Sequence, residues 1–206
     1  MLWNRIIGAG GFGGDSLFVG AVRGSGALSI PAHSAGDLII AVDSDYETTS
    51  APSTITGFTS AATYNNNILG STFDVGSRLQ YQFDAAGTIS SVTLNGASGH
   101  IWVFTGIDSF VQTVSSTNSS GTPNSTWNIP ELTGLTIGNF IFAGNTGSDD
   151  RNIVTPDTGW EGDVNGTGAL GVWIENVEST TVAASGHGIS DVIYDCHAVI
   201  EFSKTA

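Results

Sequence analysis

The chain has 206 residues, of which only 12% are charged, with 28 glycines and a formal net charge of -14 from 19 acidic and five basic side chains. So few cations exclude a nucleic-acid partner, which needs clustered Lys and Arg to displace counterions, and the acidic balance disfavours an anionic membrane surface. A composition poor in Lys and Glu but rich in Gly, Ser, Thr, Val and Ile favours strands and turns over helices and predicts an all-β protein.

Residues 1–14 form an opening arm, with Leu2, Trp3, Ile6, Ile7 and Phe12 set among the glycines of Gly8–Gly14. The arm lacks the continuous apolar centre of a secretory signal. It is too short and too glycine-rich to build a core, which makes those five apolar residues candidates for docking onto a partner. Gly8, Gly10 and Gly13 satisfy the G-x-G-x-x-G dinucleotide pattern, but Ser16–Arg23 follows, a strand-like stretch interrupted by Gly20, where the cofactor fold needs a helix. No cofactor is expected. Gly14-Asp15-Ser16-Leu17 resembles the signature of the GDSL hydrolases, whose serine would correspond to Ser16. That family also needs a late Asp-x-x-His pair, whereas Asp195-Cys196-His197 has another spacing.

From Ser16 the pattern predicts strands near 16–23, 26–30, 37–43, 54–63, 78–84, 88–95, 99–105, 109–116, 126–129, 138–144, 168–175, 179–184 and 190–203. Turns are marked by Gly24-Ser-Gly26, Asn95-Gly96, Asp163-Val-Asn-Gly166 and Ser185-Gly186. Gly36-Asp-Leu-Ile-Ile-Ala41 returns 102 residues later as Gly138-Asn-Phe-Ile-Phe-Ala143, and Thr56-Gly57-Phe58 returns at the same offset as Thr158-Gly159-Trp160. The echo continues through Ser77–Phe83 against Gly168–Ile174, and His100–Phe104 against His197–Phe202. These spacings predict a β-sandwich or jelly roll of two duplicated halves, about 30–108 and 129–203, packed across a pseudo-twofold, with residues 15–206 as one body. In the last strand Val192, Tyr194, Cys196, Ala198, Ile200 and Phe202 should face the core. Trp102, Trp160 and Trp173 should fill it, and Trp3 and Trp127 are less constrained.

Catalytic patterns of the G-x-S-x-G, H-E-x-x-H, P-loop and EF-hand types are missing from the sequence. Asp43, Asp45 and Glu47 follow the first copy of the core strand, and Asp149 and Asp150 follow the second. These are residue types that hold Ca²⁺ together with backbone oxygens, and a solvated acidic loop is the plainer expectation. The histidines at 33, 100, 187 and 197 lack metal-ligand spacing and read as structural. The lone Cys196 reads as a buried, inert thiol.

The order Gly-Asp-Leu-Ile-Ile-Ala, acidic residues, Gly57-Phe58, Tyr81-Gln-Phe83-Asp-Ala-Ala86, Val92-Thr-Leu94, an aromatic strand, then Thr105-Gly-Ile-Asp108 resembles small all-β proteins of tailed-bacteriophage structural modules. The resemblance covers residues 30–108 and, more loosely, 129–203. It implies a virion component, a tail fibre or spike or a capsid decoration protein, non-enzymatic and located in the particle. On that reading the arm binds other virion proteins, the chain forms a homo-oligomer with a trimer favoured, and the sandwich can meet a host surface glycan. A carbohydrate-binding module and a hydrolase using Ser16 are the alternatives.

Overall fold

The computed structural model describes residues 16–67, 74–119, 124–151, 153–162, 166–193 and 196–205. The first half carries β1 (Phe18–Gly24), β2 (Ala27–Ser29), β3 (Leu38–Tyr46), β4 (Thr59–Asn65), β5 (Val75–Phe83), β6 (Ser91–Thr93) and β7 (Ser98–Phe104). The second carries β8 (Ile107–Thr117), β9 (Asn124–Ile129), β10 (Leu132–Thr133), β11 (Phe140–Arg151), β12 (Ile153–Thr155), β13 (Glu161–Gly162), β14 (Gly166–Ile174), β15 (Thr181–Val182), β16 (Ser185–Ile193) and β17 (His197–Lys204). No helix occurs among the described residues.

Two five-stranded antiparallel sheets face each other, β1-β7-β3-β5-β4 and β13-β14-β11-β17-β8. Read from opposite edges, the orders coincide: β1 answers to β8, β7 to β17, β3 to β11, β5 to β14 and β4 to β13. The repeated Gly36 and Gly138 have φ of 90° and 91°, and the repeated Gly57 and Gly159 have 87° and 85°. Glycine recurs at these turns because a side chain is strained at positive φ.

Alternation along the central strands sorts side chains into three cores. Leu38, Ile40 and Val42 of β3, Phe140 and Phe142 of β11, and Ala198, Ile200 and Phe202 of β17 point between the two sheets, where Trp102, Phe104 and Trp173 join them. The outer face of the first sheet carries Ile39, Ala41, Ile101 and Val103, and it is covered by Leu28, Val92, Leu94, Ile55 and Phe58. The second sheet's outer face, with Ile141, Ala143, Val172 and Val199, is covered by Trp127, Ile129, Leu132, Leu135, Trp160 and Ile189. Both faces of each central strand are therefore buried, so both sheets sit beneath a further layer.

Equivalent residues meet where the halves join. Ser44 and Thr146, which occupy the same place in the two copies, share a hydrogen bond of 2.9 Å between their hydroxyls. Beside them a Cβ added to Gly144 would lie 2.9 Å from Val42 Cγ2, the side chain of its own counterpart. Contacts between counterparts are what a twofold axis produces, and these put the axis alongside β3 and β11.

Several expectations need correction. The 190–203 stretch is not one strand, since β16 ends at Ile193 and β17 begins at His197 in another sheet. The odd-numbered positions His197, Val199 and Glu201 are as buried as the even ones, because the outer layer covers that face. Ser185-Gly186 opens β16 rather than forming a turn, and 54–58 is a return segment ahead of β4. Trp127 is fully buried. Finally, Ile39 pairs with Gln82 and Ile141 with Ile174, so Gln82 is the counterpart of Ile174, where the sequence echo had aligned Phe83. Likewise Val42 pairs with His100 and Gly144 with Ala198, which makes Ala198, not His197, the counterpart of His100. A one-residue slip moves a side chain to the opposite face.

Candidate functional site

Ser16 stands at the entrance to β1. Its hydroxyl donates to Glu175 Oε1 at 3.0 Å and lies 3.3 Å from the Phe18 amide nitrogen, while the Leu17 amide donates to the same carboxylate oxygen at 2.9 Å. The group beside Ser16 is thus an acceptor that ties down the entry of the chain. No imidazole is bonded to it, and Asp195 lies outside the described residues.

The acidic stretch is strand rather than loop. Asp43 and Asp45 belong to β3, and Asp149 and Asp150 belong to β11, their side chains lying outside those described. Asp43 is fully buried and accepts from the backbone amides of Asn95 at 2.9 Å and Gly96 at 3.0 Å. Burial pushes its carboxyl pKa up, with the Asn95, Gly96 and Ser44 amides pulling the other way. Asp45 Oδ1 accepts from the Tyr46 amide at 3.1 Å, and Glu47 is exposed at φ 59°. Asp43 is spent on the Asn95-Gly96 turn, and no group of three or more His, Cys, Asp or Glu among the described residues is placed to hold a metal ion.

Sequence reasoning missed the grouping of Ser185, His187 and Asp157, which places three catalytic residue types together. Ser185 Oγ lies 3.3 Å from His187 Nε2, and Asp157 Oδ2 accepts from the Gly186 amide at 3.2 Å. The decisive contact is the Asp157 backbone amide, which donates to His187 Nδ1 at 3.1 Å. An Nδ1 that accepts carries no proton, so the neutral ring is protonated at Nε2 and donates to Ser185. A base that activates a serine needs the opposite tautomer, with its Nδ1–H held by a carboxylate. Burial, opposed by the charge of Asp157, lowers the His187 pKa to about 4, and the ring packs 5.3 Å from Trp127 and 5.2 Å from Trp160. The cluster fastens residues 156–160, the return segment ahead of β13, to β16. Nearby, a cleft of about 550 Å³ opens between Thr117, Asn128, Pro130, Ser185, Gly186 and His197, with no charged carboxylate or ammonium on its wall.

His100 and His197 are both buried, on opposite faces of equivalent strands, and His100 stacks on Trp102 at 4.0 Å. Cys196 is buried with its thiol 3.5 Å from the Thr146 carbonyl. Trp102, Trp127, Trp160 and Trp173 all lie in the core, so none offers a surface platform for stacking a sugar.

The sandwich has two unlike ends. Ser16 enters beside Glu175, and near the C-terminus Lys204 Nζ donates to the Glu175 carbonyl at 3.1 Å and the Thr205 amide to the Gly106 carbonyl at 2.9 Å. Entry and exit therefore share one end. At the other end lie Tyr46, Asn65, Val75, Thr117, Arg151, Gly166 and His197. Leu2, Trp3, Ile6, Ile7 and Phe12, with the arm of residues 1–14, lie outside the described residues. The chain matches no protein-family model, no curated protein and no solved structure.

Proposed function

We propose that the protein is a non-enzymatic structural component of a phage particle, an appendage or decoration protein held by its N-terminal arm. The observation that carries this reading is the polarity of the sandwich. The arm joins the body at the end where Ser16, Glu175 and Thr205 meet, which leaves the opposite end, where Tyr46, Asn65, Val75 and Thr117 lie, to face a host surface. Supporting it, the chemistry-bearing side chains in hand are engaged in the fold itself: Ser16 on Glu175, Asp43 on a turn, His187 on a return segment.

On this reading the partners are other virion proteins, bound through Leu2, Trp3, Ile6, Ile7 and Phe12. Each such side chain buried on docking contributes about 1.5–3 kcal/mol, and three arms in a trimer multiply that through avidity. The test is incorporation. A variant lacking residues 2–13 should keep the far-UV circular dichroism of the intact protein yet be missing from purified particles by mass spectrometry; normal incorporation would remove the arm as anchor. The hydrolase alternative is tested separately with Ser16→Ala, which should leave any ester turnover at the buffer rate for both proteins.

A further inference from the structure

His33 and Asp84 sit at the end of the sandwich where the chain enters, their side chains only 3% and 4% exposed. His33 Nδ1 lies 2.9 Å from the Pro31 carbonyl oxygen, and Nε2 lies 3.0 Å from Asp84 Oδ2. Both neighbours are acceptors without a proton of their own, so satisfying both ring nitrogens takes an imidazolium with two N–H groups. Asp84 also gathers the turn that follows β5: Oδ2 accepts from the Ile89 amide at 2.7 Å and Oδ1 from the Ala86 amide at 3.2 Å. The turn is joined to the segment before β3 by Gly36 N–H to the Asp84 carbonyl at 2.7 Å and by Asp84 N–H to the Asp37 carbonyl at 3.0 Å.

The second half builds the same backbone junction without an ion pair at these two positions, its buried carboxyl group being Glu201 on the Thr136 amide and Asn139. Gly138 N–H reaches the Val177 carbonyl at 2.8 Å and Val177 N–H the Asn139 carbonyl at 2.9 Å, which makes Val177 the counterpart of Asp84. Leu135, three residues before Gly138 as His33 is before Gly36, is the counterpart of His33, and both Leu135 and Val177 are buried. One backbone arrangement is thus closed by an ion pair in one copy and by two apolar side chains in the other.

We infer that the His33–Asp84 pair is a pH-operated latch, closed while the imidazole holds both protons and opened by their loss, fitted to one half of the duplicated fold only. The charged groups that act on the ring are Asp84 and Asp37, both acidic. Burial alone would lower the His33 pKa, but the Pro31 carbonyl, the hydrogen bond to Asp84 and the two carboxylate charges outweigh it and leave the pKa raised above 6.5. A raised histidine pKa contributes stability that is complete below the unfolded value and is lost as pH rises through the folded one. Asp84 is shifted downward: burial opposes this, and the Ile89 amide, His33 and the Ala86 and Gly87 amides override it. Its contribution is lost only when pH falls through that lowered value. The latch therefore stays closed in mild acid and opens as pH rises through the raised His33 pKa, at the end of the sandwich that joins the arm.

The test is nitrogen-detected NMR of the imidazole together with amide exchange. In the wild type both ring nitrogens should be protonated on the acid side of the His33 titration, and that titration should lie above 6.5. Each unit by which its pKa is raised corresponds to a tenfold change in latch closure across the titration. Exchange at Gly36, Ala86 and Ile89, corrected for intrinsic rates, should accelerate as pH rises through the His33 pKa, while Gly138 and Val177 in the same sample stay unchanged. His33→Leu should abolish that difference between the halves, and Asp84→Asn should lower the His33 pKa. A His33 that titrates at or below 6.5, or a wild type whose two junctions respond identically to pH, would overturn the latch without needing either variant to fold.

Discussion

Glu201 shows how a buried charge is kept when every neighbour is a donor. It is fully buried, and it accepts from Gln112 Nε2 at 2.6 Å, the Thr136 amide at 2.8 Å and Asn139 Nδ2 at 2.7 Å. Removing the carboxylate strands the buried Asn139 amide and takes an acceptor from Gln112 and Thr136, which water can partly replace, so Glu201→Ala should destabilise the protein by about 1–3 kcal/mol in chemical denaturation. Glu201→Gln, which keeps one acceptor, should cost less. His187 sets the acid limb of stability. Its folded pKa of about 4 lies below the ordinary 6.5, so between those values the unfolded chain binds a proton that the folded one refuses. Stability then falls as pH drops from 6.5 toward 4, by on the order of 3 kcal/mol for a shift of this size. In His187→Gln the denaturation midpoint should be flatter over that range. An unchanged acid limb would place the sensitivity elsewhere.

At the scale of elements, the duplication runs further than the sequence echo revealed. Phe18 pairs with Phe104 and Phe110 with Phe202, and in each pair the next residue falls in a bulge, so Val19 and Val111 hold equivalent places on the two sheet edges. Both remain partly exposed, at 38% and 43%. A bulge twists an edge strand and spoils it as a template for further pairing. The Phe-Val pairs were in the sequence, but two short words carry little signal without the pairing that aligns them. The core strand and its turns were legible because a buried strand with a positive-φ glycine before it allows few substitutions. The slip around His100 and His197 was not, because the two strands share only a loose apolar pattern and register is fixed by partners distant in sequence. For the same reason the Ser185, His187 and Asp157 cluster was hidden, being assembled from β16 and a return segment thirty residues away in the chain. Where the halves meet, the copies have diverged to fit: Val42 and Leu79 of the first half are answered by Gly144 and Gly171 in the second. A Cβ on Gly171 would lie 2.7 Å from Trp102 Cζ2 and 2.8 Å from Phe142 Cζ. Gly171→Leu, which restores the counterpart's residue, should therefore overpack the core and cost at least 1–3 kcal/mol, read as a lowered thermal midpoint.

For the whole molecule, the central core belongs to neither half. Leu38, Ile40, Val42, Trp102 and Phe104 come from one, and Phe140, Phe142, Trp173, Ile200 and Phe202 from the other. Phe104 lies 4.8 Å from Phe140 and 5.2 Å from Trp173, so the rings interleave across the junction. Separating the halves would expose this face to water at roughly 25 cal/mol for each Å² of apolar surface, which makes a state with one half folded and the other unfolded costly. The intact chain should therefore unfold in one transition, with tryptophan fluorescence and far-UV circular dichroism coinciding. The divergence of the copies adds a second expectation. Two first halves would bring Val42 against Val42 and Trp102 against Leu79, where the real partner offers Gly144 and Gly171. Residues 16–106 expressed alone should then fail to form a tight dimer of the native kind, and should recover native tryptophan emission only when residues 107–206 are supplied. Two separate transitions in the intact chain, or a stable monomeric first half, would show that the shared core does not bind the halves into one cooperative unit.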